Sequence, residues 1–152
     1  GHMAGSAPGR MVADALGTMA TPQVREAEIL ASAHAMTDVT GFGLAGHVQA
    51  ICRASGLAAE LWSKAVPLYP GAQALSDRGV ASSLLPVNQA DAPIETAGPV
   101  NPLFHDPQTA GGLLAALPKG AAEAAQARLE AEGLTGHIIG RLEAGAPSMR
   151  LT

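Results

Sequence analysis

The sequence predicts an α+β domain, a mixed β-sheet layered with α-helices, from three observations. Short apolar segments of strand length alternate along the chain with longer segments of helical period. The last segments return on one another at hairpin-like spacing, which argues for a mixed sheet over a purely parallel one. With 152 residues the chain has the size of one domain, and a folded chain of that size buries roughly 70% of its extended surface.

Gly1, His2 and Met3 read as a tag remnant, and residues 4–10, rich in Gly, Ser and Pro, read as a linker. Residues 1–10 are therefore set apart, and the domain is expected over 11–152 as a piece excised from a longer chain. Thr21 before Pro22 is a helix-start signal, and Val24, Ala27, Ile29, Leu30 and Ala31 supply an apolar face for a helix over 21–33. Residues 34–39 suit a strand, and Gly41, Gly43 and Gly46 follow as a glycine turn. Leu44, Val48, Ile51 and Cys52 then recur at the period of a helix burying one stripe, which Ser55-Gly56 stops. A second strand over 57–62 leads through Pro67 and Pro70 to a helix over 69–78. Residues 80–101 hold Pro86, Pro93, Gly98 and Pro99 with little periodicity, which predicts a long loop, poorly ordered near 88–97. After a turn-rich block at 103–112, residues 113–117 form a buried strand ended by Pro118. An Ala-rich helix over 120–132 stops at Gly133, a strand follows over 137–142, and residues 148–151 form a final edge strand.

Composition excludes several function classes. Hydrophobic residues make up 47% and charged residues 14%, so the signature of a disordered chain is absent. No apolar run approaches the length of a membrane span and no signal-peptide core opens the chain, so a soluble, cytoplasmic protein is expected. Nine Lys and Arg against 13 Asp and Glu give a net charge of −4, without a basic cluster, which argues against nucleic acid as a partner. The aromatic residues Phe42, Trp62, Tyr69 and Phe104 are too few for a base-stacking platform. Cys52 is the single cysteine, so there is no disulfide framework and no thiolate zinc site, and its place on an apolar helix stripe predicts a buried thiol.

Gly41-Phe42-Gly43-Leu44-Ala45-Gly46 fits G-x-G-x-x-G between a strand and a helix, with Glu60 about twenty residues on, the form of a dinucleotide fingerprint. Glycines there let main-chain N–H groups approach a phosphate, while the helix N-terminus supplies partial positive charge. A small dinucleotide-binding module using Gly41, Gly43, Gly46 and Glu60 is one reading. Thr37, Asp38 and Thr40 crowd the end of the strand, however, and a carboxylate aimed at a pyrophosphate repels it unless a metal ion stands between them. A second reading therefore makes Asp38 a Mg²⁺ ligand at a nucleotide phosphate. A third makes Asp38 or Thr40 a helix cap. His34, His47, His105 and His137 are too scattered for a zinc site and are expected to cap or pack. Glu60, without a ribose to bind, is expected as a solvated strand or edge residue.

The stretch His34-Ala35-Met36-Thr37-Asp38-Val39-Thr40-Gly41-Phe42-Gly43-Leu44-Ala45-Gly46-His47 resembles the A-C-T-D-V-T-G-F-G-L-x-G-H block of the selenophosphate synthetases (selenide, water dikinases). Phe104-His105-Asp106-Pro107-Gln108-Thr109-Ala110-Gly111-Gly112-Leu113-Leu114 resembles that family's D-P-Q-T-S-G-G-L-L block, and residues 67–72 and 139–141 match shorter stretches. The resemblance runs from about Met11 to the C-terminus and covers only the C-terminal half of such an enzyme, a domain with the aminoimidazole ribonucleotide synthetase-like fold. It implies a parent that converts selenide, ATP and water into selenophosphate, AMP and orthophosphate, with Mg²⁺ required and K⁺ helping, and that forms a homodimer. The family's catalytic Cys or selenocysteine and its Lys belong to the N-terminal half, so this piece alone is expected to be inactive. By position, Asp38 corresponds to a magnesium-binding Asp, and Thr40, Gly41 and Gly43 lie in the nucleotide-phosphate region. Met36 stands where the family commonly has Cys, and Ala110 where it commonly has Ser. No ligand contact is assigned to Ala110, and the turn at Asp106 reads as structural, with Asp106 as a cap or Asx-turn residue. A non-catalytic paralogue acting as a scaffold stays open beside the enzyme.

Overall fold

A computed structural model of the chain describes residues 5–152, so the expected tag remnant at Gly1, His2 and Met3 lies outside the described residues. Helix α1 (Gly9–Met19) begins inside the expected linker and continues through a stretch for which the sequence predicts no element. The segment before it is held, because Arg78 Nη2 donates to the Ser6 carbonyl at 2.8 Å. Helix α2 is shorter than expected, Val24–Ile29. It packs Ile29 against Ala125 and Leu129 of helix α6 (Lys119–Ala131), a small satellite core.

Two sheets form where one was expected. Strand β1 (Ala35–Asp38) pairs antiparallel with strand β3 (Leu113–Ala116), Asp38 opposite Leu113. Strand β2 (Leu57–Leu61) lies at the centre of the second sheet, antiparallel to β4 (Gly140–Ala144) and parallel to β5 (Ser148–Leu151). β4 starts three residues later than the apolar run at 137–139 predicts, since Ile139 ends outside the ladder, its carbonyl accepting from Trp62 N–H. The expected hairpin between the last two strands is not made. β2 is inserted between them, so β5 is an edge strand as expected but parallel to its neighbour.

Helix α3 (Gly43–Ser55) has the predicted period and stop: Gly56 takes the left-handed conformation, φ 64°, and donates its N–H to the Cys52 carbonyl. Its apolar stripe, Ala45, Val48 and Cys52, meets Ala59 and Leu61 of β2 and Met149 of β5. These residues form the main core. Cys52 is fully buried there, as expected, and burial pushes its thiol pKa up. Helix α4 (Ala72–Asp77) falls inside the expected 69–78.

The expected loop at 80–101 contains helix α5 (Leu85–Asp91). Pro86 sits in its first turn, where a missing N–H costs nothing, so the residue that reads as a breaker is a starter. Asn88, at the start of the segment expected to be poorly ordered, is 5% exposed. Further along, Glu95 makes an isolated parallel bridge to Arg150 on the outer edge of β5. A single 3-10 turn, Pro102–His105, then carries the buried Phe104 and His105.

Candidate functional site at the β1–α3 turn

The two long motif blocks, more than fifty residues apart in sequence, are one structural unit. Val39 N–H donates to the Gly112 carbonyl at 3.0 Å, Gly111 N–H returns to the Val39 carbonyl at 3.1 Å, and Gln108 N–H donates to the Thr40 carbonyl at 3.0 Å. Gly111 is required by this approach, because a Cβ there would run into the Val39 carbonyl oxygen. Gly43 is required for a second reason. It has φ +68°, and a Cβ would stand 2.6 Å from the main-chain carbon of His105.

Asn88 closes the unit from a third element. One of its amide hydrogens goes to the Gly41 carbonyl at 2.9 Å and the other to the His105 carbonyl at 3.0 Å. No local sequence signal marks it, since its partners lie 47 and 17 positions away. His105 is a core residue, its Nε2 at 2.8 Å from the Ala92 carbonyl, and Asp106 is half-buried, with burial raising its carboxyl pKa. Asp106 is the C-cap residue of the 3-10 turn, its N–H donating to the Leu103 carbonyl at 3.3 Å, so the cap reading holds, while its carboxylate forms no Asx-turn. Gln108 Nε2 bonds instead to its carbonyl at 3.2 Å and its carboxylate at 3.4 Å.

Around the turn itself, the helix-cap reading of Asp38 and Thr40 is corrected. The N-cap position of α3 belongs to Phe42, with no side-chain cap bond. Thr40 turns to α3 through His47, whose Nε2 accepts from Thr40 N–H at 3.0 Å and lies 3.2 Å from Thr40 Oγ1. Gly43 N–H donates to the Thr40 carbonyl at 3.0 Å, so that donor shapes the turn and is not free for a ligand. Gly41 and Phe42 have no main-chain acceptor for their N–H groups among the described residues. A Cβ on Gly41 would meet nothing within 4 Å. Phe42 is 63% exposed beside them.

The dinucleotide module fails on the same geometry. The first two strands of a βαβ unit lie parallel in one sheet, whereas β1 and β2 belong to different sheets. The space that Gly43 opens is filled by His105 main chain, and the space at Gly46 by the Phe42 side chain. Glu60 is neither a ribose ligand nor a solvated edge residue. It sits on the central strand β2, its register neighbours Arg141 and Arg150 donate to Oε2 at 2.8 and 2.6 Å, and Trp62 Nε1 donates to Oε1 at 3.2 Å.

Asp38 is exposed at the end of β1, and its carboxylate joins no ion pair among the described residues. No group of three or more His, Cys, Asp or Glu suited to a metal occurs among them. The described residues thus offer no set of three or more such side chains to enclose an ion. Magnesium, in contrast, commonly takes one or two carboxylates and fills its other positions with water and phosphate oxygens. A single uncommitted carboxylate beside a helix N-terminus fits that role.

Over residues 3–150 the chain matches the family described as AIR synthase related protein, C-terminal domain. Among curated proteins it is similar to the selenide, water dikinase of Cronobacter sakazakii, 40% identical over 116 residues that make up 72% of this chain and 32% of that protein. The enzyme of the same name from Myxococcus xanthus is 34% identical over 155 residues, covering 95% of this chain and 44% of the relative. That from Pseudomonas straminea is 37% identical over 123 residues, covering 76% and 34%. The chain thus spans between about a third and less than half of the length of these relatives. No helix among the described residues is long and apolar enough to cross a membrane.

Proposed function

Because this chain belongs to the AIR synthase related family as its C-terminal domain, we propose that it forms one wall of the ATP site of a cytoplasmic selenide, water dikinase. Such an enzyme makes selenophosphate, AMP and orthophosphate from selenide, ATP and water. The observation that carries the reading is the pinning of the Asp38 turn against the block at 105–112 by main-chain bonds and by Asn88. Both stretches that resemble the dikinases thereby build one rigid surface.

On that surface Asp38 is the magnesium ligand, and Thr40 and Gly41 face the nucleotide phosphates, with Gly43 setting the turn. Magnesium, when bound, neutralises charge on the phosphates and polarises them for transfer, and K⁺ adds to that neutralisation. The chain's own part is to hold a carboxylate and the open end of α3 in fixed relation, so that no reorganisation is needed when charge develops. The nucleophile and the remaining phosphate cradle come from the N-terminal half of the enzyme, which also carries the homodimer contact.

Phosphorus NMR on the complete polypeptide, incubated anaerobically with ATP, Mg²⁺ and selenide, tests the reading. Formation of selenophosphate and AMP is expected. A folded protein that forms neither would leave the domain as a scaffold in a non-catalytic relative.

A further inference from the structure

We propose that His47 is the positioning residue of the Asp38–Gly41 turn and that it works as the neutral Nδ1–H tautomer. The inference rests on the reading of Asp38 as a magnesium ligand only for its purpose; the geometry of the latch stands by itself. His47 lies on α3, one helical turn past Gly43, and reaches back over the end of β1. Its Nε2 accepts the Thr40 N–H at 3.0 Å. A main-chain N–H can only donate, so Nε2 carries a lone pair and the ring proton is on Nδ1. Nδ1 lies 3.4 Å from Thr37 Oγ1, and that hydroxyl is 3.1 Å from the Asp38 carbonyl, which it can reach only as donor.

The bonds form one directed relay. His47 Nδ1–H faces Thr37 Oγ1, Thr37 Oγ1–H donates to the Asp38 carbonyl, and Thr40 N–H donates to His47 Nε2. The residues on both sides of Asp38 are thus tied to one imidazole. Its ring is further held at a centroid distance of 6.0 Å from Phe42. A side chain that merely filled space would need neither nitrogen.

Two measurements on the ¹⁵N-labelled chain decide it. Long-range ¹H–¹⁵N spectra should show the neutral His47 ring protonated at Nδ1, and the Thr40 amide should exchange slowly with solvent. In His47→Leu, which keeps bulk and loses both nitrogens, Thr40 exchange should rise about tenfold or more, the size expected when one hydrogen bond is lost. In His47→Gln, whose side-chain oxygen can stand where Nε2 accepts, protection should return while amides of the β2 core stay as in the unaltered chain. A neutral ring protonated at Nε2, or unchanged Thr40 protection in His47→Leu, would overturn the proposal. In the complete polypeptide, broadening of the Asp38 region by Mn²⁺ with ATP, weaker in His47→Leu and restored in His47→Gln, would show the latch serving the metal. Absence of broadening in the unaltered complete polypeptide would overturn that purpose and count against the Asp38 reading, while the tautomer and exchange results still decide the latch.

Discussion

Asn88 donates a side-chain N–H to the Gly41 carbonyl at 2.9 Å, and this bond fixes helix α5 to the glycine turn in front of α3. Its other amide hydrogen is spent on His105, so a residue that is 5% exposed satisfies two carbonyls at once. Replacement by alanine leaves both acceptors without their partner in a partly dry setting. Asn88→Ala should therefore lower unfolding stability by about 2–4 kcal/mol, seen as a lower urea midpoint with an unchanged slope. Asn88→Asp should do at least as much harm, because a carboxylate cannot donate to either carbonyl.

The two glycines of the turn should respond differently to alanine. Gly43→Ala meets both a left-handed backbone, φ +68°, and the His105 main chain at 2.6 Å, and should cost about 2 kcal/mol or more. Gly41→Ala meets open space and should change stability by less than about 0.5 kcal/mol. Paired thermal melts check the contrast, and equal losses at both positions would contradict the assigned roles.

Glu60 should govern part of the acid limb of stability. The Arg150 guanidinium holds its carboxyl down to about 2 from an ordinary value of 4.5, with Trp62 and Arg141 assisting and burial opposing. A carboxyl depressed in the folded state contributes stability that is complete above its unfolded value and is lost as pH falls from there through about 2. Glu60→Gln should flatten the stability-against-pH curve in that window and leave its slope at neutral pH unaltered. Urea titrations at stepped pH read the difference.

Cys52 should be unreactive in the folded chain. It is wholly buried and its thiol is pushed up by desolvation, so little thiolate is present or accessible at neutral pH. Labelling by an aromatic disulfide reagent should be slow in buffer and become fast across the urea transition. Rapid labelling in buffer would place Cys52 outside the core.

Much of this fold is legible locally, and the exceptions have physical causes. The period of Leu44, Val48, Ile51 and Cys52 with Gly56 beyond them specifies α3 because helix and cap depend on near neighbours. The split into two sheets depends on which strands meet, and the pairing of β1 with β3 closes a loop of more than seventy residues that no local pattern encodes. Glu60 reads as an edge residue for the same reason: only the insertion of β2 between β4 and β5 brings two arginines to it. Pro86 misleads because its effect changes sign between a helix interior and a helix first turn. In the site, Asp38 and the glycine turn stand out by residue type, while Asn88 and the His47 latch are visible only once distant carbonyls and a bent-back ring are in place.

The most direct test of the central claim is Asp38→Asn in the complete polypeptide, with selenide-dependent, Mg²⁺-dependent AMP formation followed by phosphorus NMR. The substitution keeps the side-chain volume and removes one charged ligand, so the rate should fall by about tenfold or more while the melting temperature is kept. An unchanged rate in an equally stable protein would contradict the assignment of Asp38 to the metal and nucleotide site.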